Sequence, residues 1–233
     1  MLPILAAYEL GVAWLGGGGT SADALRTGAD AWMRQGLAAL GQTDRWLPPL
    51  ALILALLAWE AADPRGWRLS PPCLAGMAVE SLVLAVALVG LSRAVDLGFA
   101  HLDGQAILSA RAASPPGGGG GRPLATLVGF LGAGVYEEAL FRLAMVPALY
   151  GVARLLLAPR PLAHTLAMTG SALAFSLAHH AGTPGEAFTW YAFIFRWSAG
   201  VFFAWVFVAR GFGIAVGTHA AYDILVGWVG WHL

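Results

Sequence analysis

The 233-residue chain is 58% hydrophobic, only 11% charged and carries no formal net charge. Soluble domains hold roughly 25% charged residues, so this chain lacks the polar side chains to cover a water-facing surface. The charge balance gives no footprint for nucleic acid or an acidic partner. The single Cys73 rules out an internal disulfide and CxxC metal motifs.

The apolar segments predict an all-α, polytopic transmembrane bundle of about six to eight membrane helices. All thirteen basic residues are Arg, which together with the abundance of Ala and Gly reads as the composition of a high-GC bacterium. The expected location is the bacterial inner membrane. The N-terminal stretch has no basic region and Glu9 interrupts it, so it reads as a retained segment rather than a signal peptide.

In chain order, Leu2 to Leu15 is a short apolar stretch, either a short span or an interfacial helix, ended by Gly16 to Gly19. Thr20 to Arg45 is more polar. Ala24, Leu25, Ala31, Trp32, Leu37 and Leu40 suggest an amphipathic helix at the membrane surface. Leu47 to Trp59 is the second apolar run, followed by Glu60 and an Asp63-Pro64-Arg65 turn. Cys73 to Leu91 is the third and contains Glu80. Arg93 to Arg122 reads as a connector whose SPPGGGGGRP stretch, Ser114 to Pro123, forms no packed element.

Beyond it, Leu124 to Leu157 is one long helical stretch that Pro147 is expected to kink or break. Pro161 to His180 is the next span, closed by Gly182-Thr183-Pro184-Gly185. Ala187 to Val208 is an aromatic-rich span, and Ile214 to Trp231 is the last. The change of character divides the chain into residues 1–123, with membrane segments and a surface loop, and a catalytic membrane core, residues 124–233. If the first segment spans, the eleven Arg residues in the loops fall six and five on the two sides, which leaves orientation open.

Chemistry concentrates in the second half. Glu137, Glu138 and Arg142 lie inside an apolar helix, where each charge costs roughly 2.5–3.5 kcal/mol and is functional by default. Glu138 and Arg142 are four apart, share one face and can pair. Glu137 is turned about 100° away and has no such partner, which suits it to proton transfer. Phe175 and His179 share a face near the end of the next span, with His180 placed toward the interface. His219 and Asp223 share a face of the last span. Taken singly, the histidines read as hydrogen-bonded packing residues. Taken together, three spans direct ionisable groups toward one cavity between the C-terminal helices. Glu9, Glu60, Glu80, Arg196, His101, His164 and His232 are weaker candidates without a motif, Arg196 being placed to pair or to snorkel.

The order E-E-x-x-x-R, F-x-x-x-H, H-x-x-x-D on successive spans resembles the CPBP family, the CAAX-protease and bacteriocin-processing (ABI) group of glutamic intramembrane endopeptidases that includes the Rce1-type prenyl-protein proteases. The likeness covers about Leu124 to Val229. It implies a metal-independent endopeptidase without a cofactor. Glu137 would activate water with help from His179, and His219 and Asp223 would stabilise the oxyanion. Glu138, Arg142 and Phe175 would support them. Many members carry Asn at the last position, and Asp223 donates a hydrogen bond only when protonated. The implied partners are membrane lipid and a peptide or protein substrate, lipidated ones included. No H-E-x-x-H supports a zinc protease, and no G-x-S-G or G-x-G-D supports a serine or aspartyl type. The alternative is a non-enzymatic membrane scaffold, a peptide immunity factor or a transporter, although no inverted repeat is visible.

Overall fold

A computed structural model describes residues 1–16, 25–26, 28–62, 70–102, 123–181 and 187–228. Every regular element among them is helical. The glycine-rich stretch from Ser114, the turns at Asp63 and Gly182, and His232 lie outside the described residues.

The helices are α1 (Leu2–Leu15), α2 (Gly28–Ala39), α3 (Leu47–Ala62) and α4 (Pro71–Leu102). They are followed by α5 (Pro123–Leu155), α6 (Arg160–Ala178), α7 (Trp190–Arg210) and α8 (Phe212–Asp223). The last continues as a π turn over Ile224–Trp228. Helices α4, α5 and α7 are long and apolar enough to cross a membrane, and the apolar segments Leu2–Leu15, Leu47–Trp59 and Phe212–Gly227 are shorter. Leu, Val and Trp side chains lie exposed along these helices, as expected of a bundle whose outer surface meets lipid rather than water.

Helix α5 is the hub, packed against α1, α2, α6, α7 and α8. Close approach is built into its sequence. A Cβ on Gly134 would lie 3.0 Å from both the Cβ and the backbone nitrogen of Ala220 on α8. Helices α7 and α8 are joined by Gly211 alone, at φ +90°, a conformation that glycine adopts without the steric cost of a Cβ. The antiparallel pair α4 and α7 is clamped near both ends. Arg210 donates to Glu80 through Nε and through Nη2, the latter at 2.9 Å, and the Tyr191 hydroxyl donates to Asp96.

One expectation needs correction. The connector does not begin at Arg93, because α4 runs to Leu102. At 32 residues it reaches about 48 Å, beyond the ~30 Å hydrocarbon core, so Arg93, Asp96 and His101 ride on a helix end. Helix α5 is irregular next to Pro147, as expected, though it runs without a break from Pro123 to Leu155. The irregularity is a π segment, Ala139–Met145, upstream of the proline. Pro147 has no N–H to give the preceding turn, and the chain relaxes there into a wider register. The buried face of α2 carries a charge among its apolar residues: Ala29 is buried and Met33 packs on the core, and Asp30 is buried beside them because it meets Tyr8 of α1 and Arg26 of the segment that precedes α2.

Candidate active site

The π segment begins immediately after Glu138 and contains Arg142. Such segments insert an extra residue per turn and recur at functional sites. The backbone carbonyl of Phe141 within it accepts a 2.5 Å hydrogen bond from the Ser171 hydroxyl of α6. A polar side chain thus satisfies backbone that lipid could not.

Glu138 and Arg142 form the floor of the cluster, both fully buried. Arg142 Nε lies 3.3 Å from Glu138 Oε2, as the spacing of four predicts. The guanidinium is enclosed by aromatic rings, 4.4 Å from the Phe175 centroid and 5.3 Å from that of Phe203. Its Nη2 donates to the Gly200 carbonyl of α7 at 3.3 Å. Cation–π contact and the ion pair together offset the removal of this charge from water.

The second oxygen of Glu138 has a role that spacing did not reveal. Oε1 lies 2.8 Å from His219 Nδ1, so the imidazole donates that proton to the carboxylate. Phe203 stacks on the same ring with centroids 4.5 Å apart and planes 14° from parallel. His219 is therefore held by a hydrogen bond at one edge and an aromatic face below. Its Nε2 is directed at Glu137 Oε2, 3.8 Å away, and at Asp223 Oδ2, 3.7 Å away.

His179 caps α6. Its Nδ1 lies 2.8 Å from the Phe175 carbonyl. A carbonyl only accepts, so Nδ1 carries the proton and the neutral ring leaves Nε2 as an acceptor. That Nε2 lies 3.9 Å from Glu137 Oε2. Phe175 contributes its ring as well, edge-on to His179 at 4.7 Å. Glu137 is thus not the solitary carboxylate that the sequence suggests, since two imidazole Nε2 atoms converge on one of its oxygens.

Exposure separates the members. The Glu138 and Arg142 side chains are 0% exposed and His219 is 7% exposed, against 15% for Glu137, 21% for Asp223 and 26% for His179. Glu137, Asp223 and His179 form the open edge of the cluster, and the ion pair closes its back. Both 3.8–3.9 Å gaps at Glu137 exceed a direct hydrogen bond and fit a bridging water. Among the described residues no group of three or more His, Cys, Asp or Glu side chains has metal-holding geometry.

Half-buried Arg196 of α7 comes near enough to Glu137 and Asp223 for their charges to interact. The other weak candidates stand apart. His101 and His164 turn Nδ1 toward the carbonyls of Leu97 and Arg160 within their own helices. The half-buried His180 packs its ring against Phe188 at 5.2 Å. Glu80 pairs with Arg210, and Glu9 joins a separate network with Tyr136. Phe203, Gly200 and Ser171 support the cluster without having drawn notice in the sequence. Phe203 and Gly200 lie in the aromatic helix α7, whose composition alone marks it as ordinary membrane packing.

Comparison with curated proteins and with solved structures finds no match. Residues 120–225, which contain every member of this cluster, match the family described as Type II CAAX prenyl endopeptidase Rce1-like, the group to which the three motifs point.

Proposed function

We propose that this cluster hydrolyses a peptide bond in a membrane-associated or lipid-linked peptide, by a glutamic, metal-independent mechanism within the core formed by residues 124–233. The observation that carries this reading is the convergence of the two Nε2 atoms, 3.8 and 3.9 Å away, on Glu137 Oε2. A water bound between Glu137 and His179 gives a proton to the carboxylate as its oxygen attacks the scissile carbonyl carbon. His179 accepts the second hydrogen bond of that water and orients it.

The attack places negative charge on the former carbonyl oxygen. His219, whose Nδ1–H is committed to Glu138, donates to that oxyanion from Nε2 when this nitrogen also carries a proton. Glu138, and Asp223 when ionised, supply the negative charge that balances such an imidazolium. Asp223 contributes a donor in its protonated form and otherwise orients His219. Collapse breaks the C–N bond, and the proton held by Glu137 passes to the leaving nitrogen. The products are a carboxylic acid and an amine.

The family match supports a protease acting on a membrane-associated peptide. Prenylated CaaX tails belong to the range considered. The all-Arg, Ala- and Gly-rich composition favours other lipid-linked or membrane peptides in a bacterial inner membrane. The Glu137→Gln variant tests the reading, because it keeps the shape of the side chain and removes the base. It is expected to fold and to lose cleavage, and wild-type cleavage by this variant would contradict the assignment.

A further inference from the structure

A second polar network lies on the opposite side of α5 from the cluster, and the mechanism does not use it. Glu9 of α1, Arg26, and Asp30 and Arg34 of α2 bring together two carboxylates and two guanidiniums. Arg26 Nη1 lies 2.7 Å from Asp30 Oδ2 and 3.6 Å from Glu9 Oε2. Arg34 Nε lies 2.7 Å from Asp30 Oδ1, and its Nη2 lies 3.7 Å from Glu9 Oε1. Two tyrosines enter the network. Tyr8 donates to Asp30 at 2.8 Å, and Tyr136 donates to Glu9 Oε1 at 2.5 Å. Both rings are fully buried and meet edge to face at 5.5 Å.

Tyr136 immediately precedes Glu137. One residue along a helix turns the side chain by about 100°, so Tyr136 faces α1 and α2 while Glu137 faces the two histidines. The packing around it is tight. A Cβ on Gly132, one turn earlier on α5, would lie 2.2 Å from the Tyr8 ring, so α1 seats directly against the catalytic helix. Glu9, Arg26, Asp30 and Arg34 all precede residue 120, outside the family match. A phenylalanine would fill the apolar space as well as Tyr136 does. The hydroxyl adds a fixed, directional link from a charge-neutral buried cluster to the residue beside the proposed base, immediately before α5 loosens into its π segment.

We infer that Tyr136 is a positioning residue: its hydrogen bond to the Glu9 cluster sets where Glu137 and Glu138 meet His179 and His219, which makes the N-terminal helices part of the catalytic geometry. The inference rests on the Glu137 reading for its kinetic consequence, while its geometric consequence is independent of that reading.

The test uses full-length protein in lipid nanodiscs with 15N-labelled histidine. Tyr136→Phe leaves Glu9 paired with both arginines, so the variant retains a balanced cluster. The imidazole signals of His179 and His219 are expected to shift, and kcat on a peptide cleaved by the wild type is expected to fall about tenfold or more, since misplacement by about 1 Å can cost a hundredfold. KM is expected to stay within about twofold. Unshifted histidine signals with wild-type kcat would overturn the inference. Glu9→Gln retains an acceptor oxygen for the phenol and is expected to keep the signals and kcat. Loss of both in that variant would show that the charge of the cluster, not the hydrogen bond, does the positioning. Should Tyr136→Phe fail to fold, Glu9→Leu removes the acceptor of the phenol from the other side and is expected to shift the histidine signals and lower kcat in the same way, whereas unshifted signals with wild-type kcat would overturn the inference. A fully active Glu137→Gln would remove the assigned base, yet the histidine signals would still report whether Tyr136 sets the geometry.

Discussion

Glu138 has its oxygens divided between two tasks, one toward Arg142 at 3.3 Å and one toward His219 at 2.8 Å. Removing either partner leaves charge or hydrogen-bonding capacity stranded where water does not reach. Arg142→Leu is therefore expected to cost about 3–5 kcal/mol of stability, the range for breaking a buried pair from one side, read as a large fall in the melting temperature in detergent. Glu137→Gln, at the partly exposed edge, is expected to leave the melting temperature nearly unchanged. A stable Arg142→Leu protein would show that the pair is not needed to hold Glu138. His219→Phe keeps an aromatic ring against Phe203 and removes both nitrogens. Loss of an oxyanion donor costs roughly 10²–10³ in kcat, so a folded variant with near wild-type turnover would remove His219 from the mechanism. The spacing of Glu138 to Arg142 and of His219 to Asp223 was legible in the sequence because i,i+4 places side chains on one face. The Glu138–His219 bond was not legible, because residues 81 apart in the chain meet only through tertiary packing.

At the scale of helices, the α5–α8 crossing at Gly134 governs that bond. Gly134→Val would force β-branched bulk against the Ala220 backbone, 3.0 Å from even a Cβ. The helices must separate, and the Glu138–His219 contact opens with them. Cleavage is expected to fall about a hundredfold. Gly129→Ala on the same helix meets nothing within 4 Å and serves as the matched control, expected to remain active. Equal activity in the two variants would show that this crossing does not position the site. Element boundaries were readable where apolar runs ended, at Leu15 and, within two residues of the Val208 expected, at Arg210. They were misread where polar residues ride on a helix: Arg93 and Asp96 pair at i,i+3 on α4 instead of opening a loop. Pro147 marked that α5 would be irregular, but not that the irregularity would be a π segment in the turns before it, Ala139–Met145.

The whole molecule joins a family-matched C-terminal core to N-terminal helices that carry no family motif, through α5. A low charge content and long apolar runs made the helical membrane bundle legible from composition. The seating of α1 and α2 was not, because it depends on the Glu9–Asp30–Arg26–Arg34 network, whose members look in sequence like unrelated charges. The mechanism assigns no step to a metal, so hydrolysis is expected to persist in excess chelator, and inhibition reversed by added zinc would contradict it. The central claim, that Glu137 is the base of a membrane endopeptidase, is tested most directly by comparing the membrane peptides of cells that make wild-type protein with those of cells that make Glu137→Gln at equal abundance. The account predicts a new peptide terminus that appears with the wild type and is absent with the variant. The same terminus at the same level in both would contradict it.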